Sequence, residues 1–122
     1  MLIALWIVNG LLALAFIAAG AMKALRPKPA LVASGMGWAD DFSDPVVKLI
    51  GIAEVLGGIG LVLPLLLSIA PVFAPIAAVC LTIVMVGAIV VHVRRHENPT
   101  PSVVLAVLSA ASAVLGFVVV LG

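Results

Sequence analysis

From Val46 to Pro64 the chain reads VVKLIGIAEVLGGIGLVLP, apolar enough to sit in hydrocarbon yet carrying a carboxylate, Glu54, well inside. A run of this kind approaches the ~20 residues a spanning helix needs. With no water in the hydrocarbon layer, its backbone N–H and C=O groups must be satisfied within the segment, so it has to be helical. Comparable runs cover about residues 2–23, 72–94 and 101–121, with this one at about 45–64. Of the 122 residues 66% are hydrophobic and 9% charged, whereas a soluble domain is about 25% charged. Such a chain cannot cover a water-facing surface. The expected fold class is therefore all-α: a single domain forming a four-transmembrane-helix up-down bundle, with the lipid bilayer as its solvent.

The polar segments divide the runs. Ala18-Ala19-Gly20-Ala21 resembles a small-residue cleavage site, but the positive charges follow the first run instead of preceding it, so a retained span is expected. Arg26-Pro27-Lys28-Pro29 stops that span, because two prolines cannot continue a helix. Ala30 to Met36 is expected to form a short interfacial helix in the first loop, with Trp38 at headgroup level. Asp44 followed by Pro45 predicts an N-cap and a first helical proline for the second span. Pro64 to Pro71 predicts a short turn into the third. Lys23, Arg26, Lys28, Lys48, Arg94 and Arg95, the full set of basic side chains, fall at one end of an up-down bundle. The positive-inside bias puts that end in the cytoplasm and both termini outside.

Glu54 is the residue that asks for a function. A carboxylate in hydrocarbon costs several kcal/mol unless it is paired or faces a polar cavity, so it marks a candidate site. At about 100° per residue Gly51, Glu54, Gly58 and Leu61 share a helix face, and on the first span Asn9, Ala13, Phe16, Gly20 and Lys23 share another. On the third, Met85 and His92 lie near one face. The candidate chemical group is Glu54 with Lys23 and His92, brought together in the cytoplasmic half. Asn9, Gly20, Gly51, Gly58 and Met85 are the candidate pocket lining, with Asn9 also placed to hydrogen-bond between helices. Three readings stand open: a structural ion pair of Glu54 with Lys23 or Lys48, a ligand site, and general acid/base catalysis.

Other chemistry is excluded more firmly. A net charge of +1 with no basic face does not suit nucleic acid. Cys80 is the lone cysteine, so no intrachain disulfide or redox pair forms. His92 and His96 run into a charged loop with no third ligand at metal spacing, and no metal is expected.

Gly20-Ala21-Met22-Lys23, the run from Lys48 through Gly51, Glu54, Gly57, Gly58 and Gly60 to Pro64, and Gly87 to His92 followed by Arg94-Arg95 and Asn98 resemble the DoxX-like family. Lys23, Gly51, Glu54, Gly57 and His92 match its motif. The resemblance implies a four-helix bundle in the bacterial cytoplasmic membrane. The family takes its name from a small subunit linked to quinone-reducing sulfur oxidation, and other members accompany membrane redox or detoxification systems. It therefore implies a membrane subunit that binds a lipophilic molecule, with a quinone as candidate cofactor and an oxidoreductase as candidate partner. The alternative is a membrane enzyme using Glu54 for acid/base chemistry, isomerisation or epoxide opening, on a lipophilic substrate. Small-residue stripes such as Ser102, Ala106, Ser109, Ala113 and Gly116 allow a homodimer, and equally allow packing within one bundle.

Overall fold

The computed structural model describes residues 2–122. It is all-helical, in the order α1 (Leu2–Leu25), α2 (Lys28–Ala33), a 3-10 turn (Gly37–Asp41), α3 (Asp44–Leu67), α4 (Phe73–Arg94) and α5 (Thr100–Leu121). The four long helices are each long and apolar enough to cross a membrane. At 1.5 Å per residue the 24 residues of α1 or α3 span about 36 Å, enough for the hydrocarbon layer with some tilt.

The helix ends show where local chemistry acts. α2 begins on Pro27, with Pro29 in its first turn where the missing N–H costs nothing. The cap of α3 is Ser43, one residue before the expected Asp44, and Asp44 and Pro45 both lie inside the first turn. Pro64 does not stop α3, which runs on to Leu67. Only the Gly60 carbonyl loses its donor to the proline, a smaller loss than ending the helix in hydrocarbon, where several backbone groups would go unpaired. The helix ends instead on Ser68 in the left-handed region, with the Ile69 N–H donating to the Pro64 carbonyl at 3.2 Å. At the start of α5 the Asn98 side chain accepts from the Thr100 N–H at 3.1 Å.

The long helices form an antiparallel ring in which α1 packs most closely on α3 and α4 on α5. The α1–α3 seam is backbone against backbone: a Cβ built on Gly20 would stand 2.5 Å from the Gly51 carbonyl oxygen, and one on Gly51 would stand 2.5 Å from the Gly20 carbonyl oxygen. Small residues are what permit helices to meet this closely without a hydrophobic drive from water. Farther along, Leu12, Phe16, Leu61, Leu81 and Met85 fill the ring. The outside is more apolar than the inside, with Leu11, Leu14, Leu49, Leu56, Ile83 and Val107 turned outward toward lipid. Between α1 and α3 the connecting segment folds back over the bundle end. There Leu31, Ala39 and Val47 make a second small core with Trp38 and Phe42 against it.

Candidate functional site

Glu54 sits ten residues into α3, about 15 Å from its start. Its inward face carries it against α1, where Lys23 closes the buried stripe begun by Leu5 and Asn9. The Lys23 ammonium donates to Glu54 Oε1, and the two side chains are 11% and 2% exposed. An ion pair this deep is costly to make and more costly to break, because either charge alone would be stranded. Trp38 covers it: Lys23 Nζ lies 5.4 Å from the centre of the Trp38 ring, within cation–π range. Phe42 meets the Trp38 edge with ring centres 5.9 Å apart and planes at 73°.

Beneath this aromatic roof lies a cavity of about 400 Å³. Ile50 and Glu54 of α3 form one wall, and Val84, Met85, Gly87, Ala88, Val91 and His92 of α4 another. Pro101, Ser102 and Leu105 of α5 complete it, and Lys23 reaches in from α1. Gly87 is exposed and lines the cavity, and a Cβ built there would meet nothing within 4 Å.

The roof is tied down from the far side of the bundle. Arg95, just past α4, donates to Asp41 Oδ2 at 2.7 Å, and its Nε stands 3.4 Å from Glu97 Oε2. Glu97 Oε1 in turn lies 3.0 Å from His92 Nδ1. A carboxylate only accepts, so the proton of that bond sits on Nδ1. Lys28 adds a bond to the Phe42 carbonyl at 2.8 Å. The loop after α4 therefore holds the segment that bears Trp38 and Phe42.

Of the residues singled out in the sequence, Lys23, Glu54, His92 and Met85 line this one cavity. Asn9, Gly20, Gly51 and Gly58 do not. Gly20 and Gly51 are the α1–α3 contact, and Gly58 receives Ile17. Asn9 lies deeper, donating from Nδ2 to the Leu61 carbonyl at 2.8 Å and accepting from Ser112 through Oδ1. Leu61 is next to the carbonyl that Pro64 deprives of its donor, so the Asn9 amide supports α3 where its ladder is weakest. Lys48 faces the bundle end, 3.9 Å from Asp44 and 3.5 Å from the Ala24 carbonyl. Trp38, Phe42, Gly87 and Ser102 were not anticipated as lining. The one sequence signal for the roof is a pair of aromatics four apart within the long polar connection.

The chamber is thus apolar on most sides, with a cation, a carboxylate, an imidazole and a hydroxyl at its edge. That composition suits a lipophilic molecule bearing a small polar head. No curated protein sequence and no solved structure matches the chain. The family model described as DoxX-like matches residues 7–119, a range that takes in every residue of the cavity, and the chain accordingly belongs to the DoxX-like family.

Proposed function

We propose that the chain binds a lipophilic small molecule in the cavity under Trp38, its polar head against the Lys23–Glu54 pair. The quinone–quinol group of lipids belongs to the class that fits. The observation carrying this reading is the position of the ion pair. A pair serving only to fix helix register is best closed over by side chains, which removes water and strengthens it. Here the pair instead ends a chamber of about 400 Å³, within the size range of small-molecule sites. The exposed Gly87 supports loading from the bilayer, which is where a lipophile would be dissolved.

The positive-inside bias supports placing the basic end, and with it the roofed mouth of the cavity, in the cytoplasm, with both termini outside. The site then lies in the inner leaflet, within reach of a cytoplasmic partner such as an oxidoreductase.

Fluorescence of the two tryptophans tests the binding. With Trp6→Phe, Trp38 is the sole reporter; with Trp38→Phe, Trp6 near the opposite bundle end is the control. A brominated alkylphenol, whose bromine quenches indole emission, is titrated into each purified variant in detergent. Saturable quenching of Trp38, with Trp6 following only micellar partitioning, is expected. Parallel, unsaturable quenching of both would remove the proposal.

A further inference from the structure

The cavity's unused hydrogen-bonding capacity specifies the head group it takes. Resting on the binding role proposed above, we infer that the ligand is recognised through a hydroxyl that donates to Glu54 Oε2, so the site selects alcohols, phenols or quinols over the corresponding ethers and carbonyl compounds.

Donors and acceptors at the cavity edge decide the head group. Of the three Lys23 N–H donors one goes to Glu54 Oε1, and the Trp38 ring faces the charge at 5.4 Å, so N–H groups also remain for a ligand oxygen. Glu54 is 1% exposed and lines the cavity, yet its Oε2 takes no hydrogen bond from any described residue. Oε2 is not among the fully buried unpaired atoms, so it opens to the cavity, where a ligand donor can reach it. His92 lines the same cavity with its Nδ1 proton on Glu97 Oε1 at 3.0 Å, so its Nε2 is the nitrogen left for a ligand. Ser102, 8% exposed in the same wall, can give or accept. The vacant carboxylate oxygen is Glu54 Oε2, and its natural complement is a ligand O–H, whose oxygen can at the same time accept from Lys23. Because Lys23 and Glu54 cancel each other's charge, the head group is neutral. The lining around them is hydrocarbon from Ile50, Val84, Ala88, Val91 and Leu105, which takes the apolar body. A ligand offering only a carbonyl or ether oxygen could accept from Lys23 but would leave Oε2 unpaired.

The test is displacement of the brominated alkylphenol from the Trp6→Phe protein by three competitors of matched length: 4-octylphenol, its methyl ether 4-octylanisole, and octanophenone. Each is compared at equal micellar concentration. A hydrogen bond to a charged group corresponds to about a ten- to hundredfold difference in affinity, so 4-octylphenol is expected to displace at least tenfold more effectively than either of the others. In Glu54→Gln combined with Lys23→Met, which leaves no stranded charge, that margin is expected to shrink. Equal displacement by phenol and anisole overturns the hydroxyl selection while leaving lipophile binding in place. Tighter binding of octanophenone also overturns it and assigns the recognition to Lys23. If the brominated phenol itself fails to bind, this inference falls together with the binding role it rests on.

Discussion

Removing the two charges of the Lys23–Glu54 pair singly and together separates a structural role from a binding role. With side chains 11% and 2% exposed, the pair is too deep for water to screen a lone partner. Glu54→Gln leaves the Lys23 ammonium beside a neutral amide, and Lys23→Met leaves the Glu54 carboxylate beside a thioether. Stranding a buried charge costs about 3–5 kcal/mol. For a chain of this length 1 kcal/mol moves the melting temperature by about 4 °C, so each single variant is expected to melt more than ten degrees lower. The double variant, Glu54→Gln with Lys23→Met, strands nothing, and replacing a buried pair with uncharged groups of similar volume is often neutral. It is expected to return close to the parent melting temperature, measured by Trp38 fluorescence in detergent. Full affinity should not return with it, because the carboxylate and the cation are both gone, leaving only weak binding by the apolar lining and a neutral amide. Recovery of lipophile affinity by the double variant would refute the pocket reading and reduce the pair to a device for holding α1 on α3.

Four further outcomes are expected. Gly51→Ala would put a Cβ 2.5 Å from the Gly20 carbonyl oxygen and 2.7 Å from the Ala24 nitrogen, backbone atoms that move only if the helices part, and should cost about 1–3 kcal/mol; Gly87→Ala meets open space and should gain up to about 1 kcal/mol from helix propensity. Comparing melting temperatures of the two variants checks the seam, and equal losses would contradict it. Arg95→Gln removes the clasp on Asp41, whose side chain is 52% exposed, so stability should fall only slightly while Trp38 becomes more accessible to acrylamide; unchanged quenching would mean that the roof is held by packing alone. Asn9→Leu breaks the bond to Leu61 and leaves Ser112 without its acceptor, with an expected loss of about 1–2 kcal/mol and unaltered ligand affinity, since Asn9 lies outside the cavity. In a Cys80→Ser background, Ser34→Cys should react with impermeant thiol reagents only from the cytoplasmic side, and labelling from outside would reverse the proposed orientation.

Helical periodicity accounts for much of what could be read before any coordinates. It placed Glu54 with Gly51, Gly58 and Leu61, and Lys23 with Asn9, Phe16 and Gly20, and all eight are buried in the bundle. Rotation about a helix axis depends only on position along the chain, so it survives translation from string to structure. Depth along the bundle survives as well, since the rise per residue is constant; it brings Lys23, Glu54 and His92 to the same half, where all three line one cavity. The roof did not survive. Trp38 and Phe42 lie in the connection between α1 and α3, where an aromatic ring is equally at home among headgroups. The Arg95–Asp41 ion pair, between residues 54 apart, ties that segment across the bundle end, together with its packing on Leu31, Ala39 and Val47.

The glycines were the hardest residues to read, for a physical reason. A missing side chain in a membrane helix leaves a notch, and a notch can be filled by a neighbouring backbone or remain space for a ligand. The choice belongs to whatever lies opposite. Gly51 faces Gly20, so two notches meet and the helices close to backbone contact; Gly57 faces Leu81, whose branched side chain occupies the gap. Gly87 meets nothing within 4 Å and leaves its notch open to the cavity it lines. The glycines flanking Glu54 thus bring Lys23 into reach of the carboxylate by drawing α1 onto α3, while the room beside it comes from the far side. There α3 and α4 touch through Gly57–Leu81 and Gly60–Ala77, and Ile50 and Glu54 face Val84 to Val91 across the cavity. The charge pair and the chamber are therefore products of two different seams, one tight and one open. Neither could be assigned from α3 alone, because the same helix takes part in both.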